Sequence, residues 1–101
     1  MAKKRDDKRK KIYIAGRITG DAGYREKFAR VQAKLEGEGY VVLSPAVLPH
    51  GMSNADYMRI CFAMIDVADA VFFLDDWCAS PGARLEREYC AYTCKPILEV
   101  L

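Results

Sequence analysis

Four short apolar runs alternate along this chain with segments that have the spacing of amphipathic helices. The runs occupy residues 12–15, 40–43, 70–74 and 96–100. Strands that alternate with helices pair in parallel, because each intervening helix carries the chain back to the starting edge of the sheet. The runs are apolar throughout rather than alternating, which is typical of strands that are covered on both faces. The sequence therefore predicts an α/β fold.

The helical segments occupy residues 24–36, 55–67 and 81–93. Asn54 and Ser80 stand at preferred N-cap positions, and Pro81 takes the first helical position, where its missing N–H costs nothing. We predict a three-layer, Rossmann- or flavodoxin-like sandwich whose parallel four-stranded sheet has the order 2-1-3-4. Ligands of such sheets bind beyond the carboxyl ends of the strands, near strands 1 and 3.

The charge of the chain is divided between its first residues and the rest. Residues 1–11 carry a net charge of +5 in a chain whose total is +2, so residues 12–101 carry −3. We predict that residues 1–11 form a basic disordered arm and that residues 12–101 form one domain. A mildly acidic domain argues against a broad nucleic-acid face, so we expect only weak, unspecific nucleic-acid contact through the arm.

The cysteines, the single histidine and the apolar runs limit what else the protein can be. Cys61, Cys78, Cys90 and Cys94 form no C-x-x-C pair, and His50 is the only histidine. This pattern favours buried reduced thiols over a metal site. No apolar run is long enough to span a membrane, and no apolar segment follows the basic N-terminus. We expect a cytoplasmic protein that makes no membrane contact and needs no metal or other cofactor.

The last helix carries the strongest candidate for a ligand site. Ser80 and Gly82 open it with free backbone N–H groups and the positive end of the helix dipole, which suit a phosphate or a carboxylate. Glu86 follows almost two turns into the helix. Its neighbours Ala83 and Cys90 are small, so the carboxylate has room beside it for a ligand.

Three motifs on these elements resemble those of the nucleoside 2-deoxyribosyltransferase superfamily. They are Tyr13-Ile14-Ala15-Gly16 in the first strand, Ala68-Asp69 before the third strand, and Ser80-x-Gly82-x-x-x-Glu86. The likeness spans residues 12–100 and is greatest to the small 2′-deoxynucleoside 5′-monophosphate N-glycosidases and the short phage-borne relatives. It implies that Glu86 is the nucleophile that attacks the anomeric carbon and displaces the base, and that Tyr13 orients it.

The same resemblance implies how a substrate is held. Ser80 and Gly82 would contact the 5′-phosphate, and Ser80 favours a nucleotide because the transferases carry an aspartate there. Gly16, Arg17 and Thr19, in the loop after the first strand, are further substrate-binding candidates. Arg17 could equally be an ordinary solvated charge of the loop.

One position departs from the family. The resemblance places the general acid on the second helix, where this chain has Cys61, and a thiol is a poor acid for a departing base. Asp75 or Asp76, after the third strand, could supply the missing carboxylate. Trp77 in the same loop could stack on a base, or it could anchor the loop against a partner subunit.

Two functions remain open from the sequence. One is an N-glycosidase or deoxyribosyltransferase-like enzyme that cleaves the base–sugar bond of a nucleotide through Glu86. The other is a module with the same pocket that binds a nucleotide or nucleotide-derived signal without chemistry, which Cys61 favours. In both cases a chain this short would leave apolar residues on and near the second helix exposed to water as a monomer. The sequence therefore predicts a homodimer that forms through that helix and its flanking loops. The apolar residues are Met58, Phe62, Met64 and Trp77.

Overall fold

The structure of the protein, a computed structural model, describes residues 9–99. Within that range four strands alternate with three helices. The strands are β1 (Lys11–Ala15), β2 (Val41–Leu43), β3 (Ala70–Phe73) and β4 (Ile97–Glu99), and the helices are α1 (Tyr24–Gly37), α2 (Asn54–Val67) and α3 (Pro81–Thr93). Most of the predicted basic arm, and the predicted end of the last strand at Val100, lie outside the described residues.

The strands form one parallel sheet in the order β2-β1-β3-β4, as the sequence predicts. β1 lies at the centre, where Tyr13 is opposite Leu43 of β2 on one side and Val71 of β3 on the other. The order places the switch point of the topology between β1 and β3. A ligand of this fold is therefore expected above the carboxyl end of β1.

Successive residues of β1 face opposite sides of the sheet and build two separate cores. Ile12 and Ile14 pack with Phe28 of α1. Tyr13 packs on the other face with Ile65 of α2 and with Cys90 of α3. Residues 12–14 of β1 thus alternate between the two faces, as expected for a strand. The sheet is thus covered by α1 on one face and by α2 and α3 on the other, which confirms the three-layer α/β fold.

Most local boundaries differ from the sequence-based expectation by one residue, and three of them bear on how the elements begin. Lys11 belongs to β1 rather than to the arm, because its backbone N–H donates to the Asp69 carboxylate at 2.7 Å and ties the chain to the sheet. The N-cap of α2 is Ser53, whose hydroxyl accepts from the backbone N–H of Asp56 at 3.1 Å, and Asn54 is already helical. β4 begins at Ile97, one residue after Pro96.

The cysteines divide into two kinds. Cys61 and Cys90 are buried, as predicted, whereas Cys78 and Cys94 are exposed, so the expectation of four buried thiols is wrong for that pair. Cys94 is exposed because it ends α3 in the left-handed conformation, with φ of 61°. All four thiols are free.

Apolar side chains on α2 are partly covered within a single chain. Met58, Phe62 and Met64 are half-buried, and the ring of Phe62 stacks on that of Tyr89 with 4.3 Å between centroids. None of the helices within residues 9–99 is long and apolar enough to cross a membrane.

Candidate active site

A cavity of about 550 Å³ opens above the carboxyl end of β1, where the topology places a ligand. The loops after β1 and β2 form one side of it, and α2 and the first two turns of α3 form the other. The structure brings six of the residues that the sequence singles out into its lining: Tyr13, Gly16, Thr19, Ser80, Gly82 and Glu86.

Glu86 and Tyr13 form the floor of this cavity. The Tyr13 hydroxyl donates to Glu86 Oε2 over 2.8 Å in a buried hydrogen bond. Glu86 is only 5% exposed and Tyr13 is fully buried. Both side chains reach this point because Tyr13 projects from the central strand towards α3, and Glu86 lies on the buried face of that helix between Ala83 and Cys90.

Burial changes the acid–base chemistry of this pair. Loss of solvent raises the pKa of Glu86 to about 7, against the opposing effects of hydrogen bonding from Tyr13 and from the Cys61 thiol. The pKa of Tyr13 is raised well above its usual value, chiefly by burial and then by the negative charge of Glu86. Tyr13 therefore stays protonated and donates, while Glu86 changes between acid and carboxylate near neutral pH.

Cys61 is the third group at the floor. It projects from α2 into the cavity lining and is 6% exposed. Burial is the main cause that raises the pKa of its thiol to about 11. The thiol is thus protonated at neutral pH, and it is a much weaker proton donor than the carboxylic acid that the family resemblance implies at this position.

The start of α3 has the geometry that its sequence predicts. The Ser80 hydroxyl accepts from the backbone N–H of Ala83 at 3.1 Å, and Pro81 takes the first helical position. Ser80 and Gly82 both line the cavity. A serine hydroxyl that accepts one hydrogen bond keeps its own proton to donate, so this turn can cap the helix and contact an anion at once.

The loop after β1 is held close to the sheet. A side chain at Gly16 would place its Cβ 2.7 Å from the Leu74 side chain, so a larger residue there would have to displace that buried leucine. Thr19 lines the cavity, but Arg17 does not. The Arg17 guanidinium instead donates to the carbonyl oxygens of Thr19 and Gly20, at 3.3 and 3.4 Å, which makes it a brace for its own loop.

The loop after β3 contributes structure rather than cavity lining. Neither Asp75 nor Trp77 reaches the cavity, so the structure does not place them for the predicted contacts with substrate. The Trp77 indole packs edge-on against Phe73, with 5.9 Å between centroids, and lies under the Arg87 guanidinium at 4.5 Å. Trp77 begins a turn of 3₁₀ helix over Trp77–Ala79, and its ring packs between these two side chains rather than in the cavity.

A charged network joins the loops that follow β1 and β3. Lys27 of α1 donates to Asp76, to Asp21 at 2.6 Å and to the Arg17 carbonyl oxygen at 3.1 Å. Asp76 in turn accepts from the backbone N–H of Arg17 at 3.1 Å. The partly buried ammonium thus fixes the loop that carries Gly16 and Thr19.

The sequence places the loop between β2 and α2 at the ligand edge of the sheet, because that loop follows a parallel strand, but it singles out none of the loop's residues as site candidates. In the structure this loop brings Leu48, Pro49 and His50 into the cavity lining, and Tyr24 and Tyr57 join them from the adjacent helices. Within residues 9–99 no group of three or more histidine, cysteine or acidic side chains is arranged to hold a metal ion.

Two solved structures show the same fold. A 2-desoxiribosyltransferase from Leishmania mexicana is 24% identical with a TM-score of 0.69, over 89% of this chain and 63% of that protein. A 2-deoxyribosyltransferase from Bacillus psychrosaccharolyticus is 21% identical with a TM-score of 0.64, over 88% of this chain and 70% of that protein. The chain therefore has a nucleoside 2-deoxyribosyltransferase-like fold, and it spans less than two thirds of the Leishmania protein.

Residues 10–99 match the model of DUF4406, a family described as a domain of unknown function. The chain belongs to that family. No curated protein matches it significantly.

Proposed function

We propose that this protein is an N-glycosidase or deoxyribosyltransferase-like enzyme that cleaves the base–sugar bond of a nucleotide. The observation that carries the proposal is the buried hydrogen bond of 2.8 Å from Tyr13 to Glu86 at the floor of the cavity. A cavity of about 550 Å³ has the size of a small-molecule site. The two deoxyribosyltransferases with the same fold support this class of reaction at the level of the fold.

In the proposed reaction, the Glu86 carboxylate attacks C1′ of the sugar. A bond forms between its oxygen and C1′, and the bond from C1′ to the base nitrogen breaks with its electron pair going to the base. The base takes up a proton, and water then adds at C1′ and returns the carboxylate, with loss of a proton to solvent. A second base in place of water would make the protein a transferase. Two displacements at one carbon retain its configuration.

Tyr13 orients the carboxylate in this scheme, and the start of α3 holds the phosphate. The Tyr13 hydroxyl donates to Oε2 alone, so it holds the carboxylate in one orientation without occupying Oε1. Ser80 and Gly82 offer a hydroxyl and backbone N–H groups at the positive end of a helix dipole. A nucleotide is therefore the proposed substrate rather than a nucleoside.

Cys61 favours a second candidate function. Its thiol stands where the resemblance places a carboxylic acid, and the pKa of about 11 makes it a poor proton donor to a departing base. The same cavity would then bind a nucleotide or a nucleotide-derived signal without chemistry.

One experiment separates the two candidates. The protein is incubated with a panel of ribo- and deoxyribonucleoside monophosphates, and free base is measured by chromatography. The enzyme releases base from at least one of them, and Glu86→Gln abolishes release while it keeps the fold and most of the binding. A binding module releases no base, and Glu86→Gln changes its affinity alone.

A further inference from the structure

The loop between β2 and α2 is fixed over the cavity from both sides. Arg25 of α1 donates to the carbonyl oxygens of Ala46 and Leu48, at 2.6 and 3.4 Å. From the other side, the Tyr57 hydroxyl of α2 donates to the Pro49 carbonyl oxygen at 2.6 Å. The same hydroxyl accepts from the backbone N–H of Met52 at 3.3 Å, so His50 lies between two braced positions of the loop and lines the cavity.

A further contact sets the tautomer of His50. The Arg25 guanidinium approaches His50 Nε2 at 3.2 Å. Since a guanidinium has only donors, Nε2 has to accept, and the neutral ring then carries its hydrogen on Nδ1. The edge-to-face contact with the Tyr24 ring, at 6.5 Å between centroids, fixes the plane of the imidazole. His50 thus offers one defined donor, the Nδ1–H group.

The position of His50 complements that of Glu86. Glu86 and Tyr13 are buried at the floor, whereas His50 is exposed at the mouth of the same cavity. Both residues line one cavity of about 550 Å³, so a nucleotide whose C1′ meets Glu86 can reach His50 with its base. His50 therefore offers a hydrogen-bond donor within this cavity, whereas Cys61 is too weak an acid to assist a departing base.

We propose that the cavity takes a purine nucleotide and that His50 recognises the base by donating its Nδ1–H to purine N7. This inference rests on the proposed function, because it places the sugar at Glu86. A hydrogen bond at N7 draws electron density from N9 as the C1′–N9 bond breaks, so one contact serves both recognition and departure. The corresponding edge of a pyrimidine carries only carbon-bound hydrogen and offers no acceptor.

The test compares 2′-deoxyguanosine 5′-monophosphate with its 7-deaza analogue, which has a C–H in place of N7. Binding is measured by calorimetry to Glu86→Gln protein, so turnover does not interfere. A neutral hydrogen bond changes affinity by about fivefold, and we expect the natural nucleotide to bind more tightly by about that factor. When His50→Ala is added to the Glu86→Gln protein, we expect the difference in affinity between the two nucleotides to disappear. His50→Asn should keep part of that difference, because its side-chain amide N–H falls near the position of Nδ1.

Val47→Ala is the matched control, since Val47 is an exposed residue of the same loop outside the cavity lining, and it retains the discrimination. Equal binding of the two nucleotides, or discrimination that survives His50→Ala, overturns the inference. So does the absence of binding by either nucleotide. The outcome is separate from that of the proposed function, which depends on base release by the unmodified protein and its loss in Glu86→Gln.

Discussion

Replacement of Glu86 by glutamine should stabilise the protein, and the gain should grow with pH. The folded protein raises the pKa of Glu86 from 4.5 to about 7 because the carboxylate is buried. The Glu86 carboxyl group therefore contributes its full stability below the pKa that it has in the unfolded chain, and this stability is lost as pH rises through its pKa in the folded protein. A glutamine at this position does not ionise, so the variant does not lose stability in this way.

The magnitude follows from the size of the shift. A difference of about 2.5 pKa units between the folded and unfolded states corresponds to about 3 kcal/mol in the free energy of unfolding. Glu86 is 5% exposed, so solvent screens little of this effect. The advantage of Glu86→Gln over the unmodified protein should therefore be about 3 kcal/mol larger above pH ~8 than below pH ~4.5.

Urea unfolding of both proteins at the two pH values measures this difference directly. Other groups titrate in both proteins and cancel in the comparison. Glu88→Gln is the matched control, because Glu88 is an exposed glutamate on the same helix, and its effect should be small at both pH values. An effect of Glu86→Gln that is the same at both pH values would refute the claim that a desolvated carboxylate lies at this floor.

Three further predictions follow from the same geometry. Tyr13→Phe removes the 2.8 Å hydrogen bond that lowers the pKa of Glu86. Because a hydrogen bond to a charged group contributes about 1.5–3 kcal/mol, the pH profile of base release should move upward by about one to two units. Cys61→Asp should speed base release, because it supplies an acid, and should lower the stability in urea, because it buries a second carboxyl group beside Glu86. Cys61→Asn, whose side chain has nearly the same shape as aspartate but is not an acid, should not speed base release. A homodimer that forms through α2 should appear in sedimentation equilibrium. Val67→Glu should abolish it, because the Val67 side chain of α2 is 57% exposed and a charge there would oppose an apolar contact. Sedimentation of the unmodified protein as a monomer at high concentration would contradict this prediction.

Much of the fold could be predicted because local pattern and global topology agree in this chain. The apolar runs are too short for anything but strands, and Ser80-Pro81 marks the start of α3 to the residue. The pairing of Glu86 with Tyr13 is implied by the family resemblance, and the structure brings the two side chains within 2.8 Å.

Residues in irregular loops could not be placed in this way. A strand or helix has a period that fixes side-chain direction, whereas the turn over Trp77–Ala79 has none that sequence reveals. Arg17 and Trp77 consequently face protein rather than the cavity. His50 was missed for a related reason, because its role depends on Arg25, which is distant in sequence and meets it only through the tertiary fold.

The central claim is that Glu86 forms a bond to the sugar, and intact-mass spectrometry tests it most directly. A nucleotide that releases its base is mixed with excess protein, and the reaction is quenched in acid during the first turnover. We predict a protein species heavier by one sugar phosphate, carried on Glu86 and absent from Glu86→Gln. Base release without any such species, undiminished in Glu86→Gln, would contradict the account.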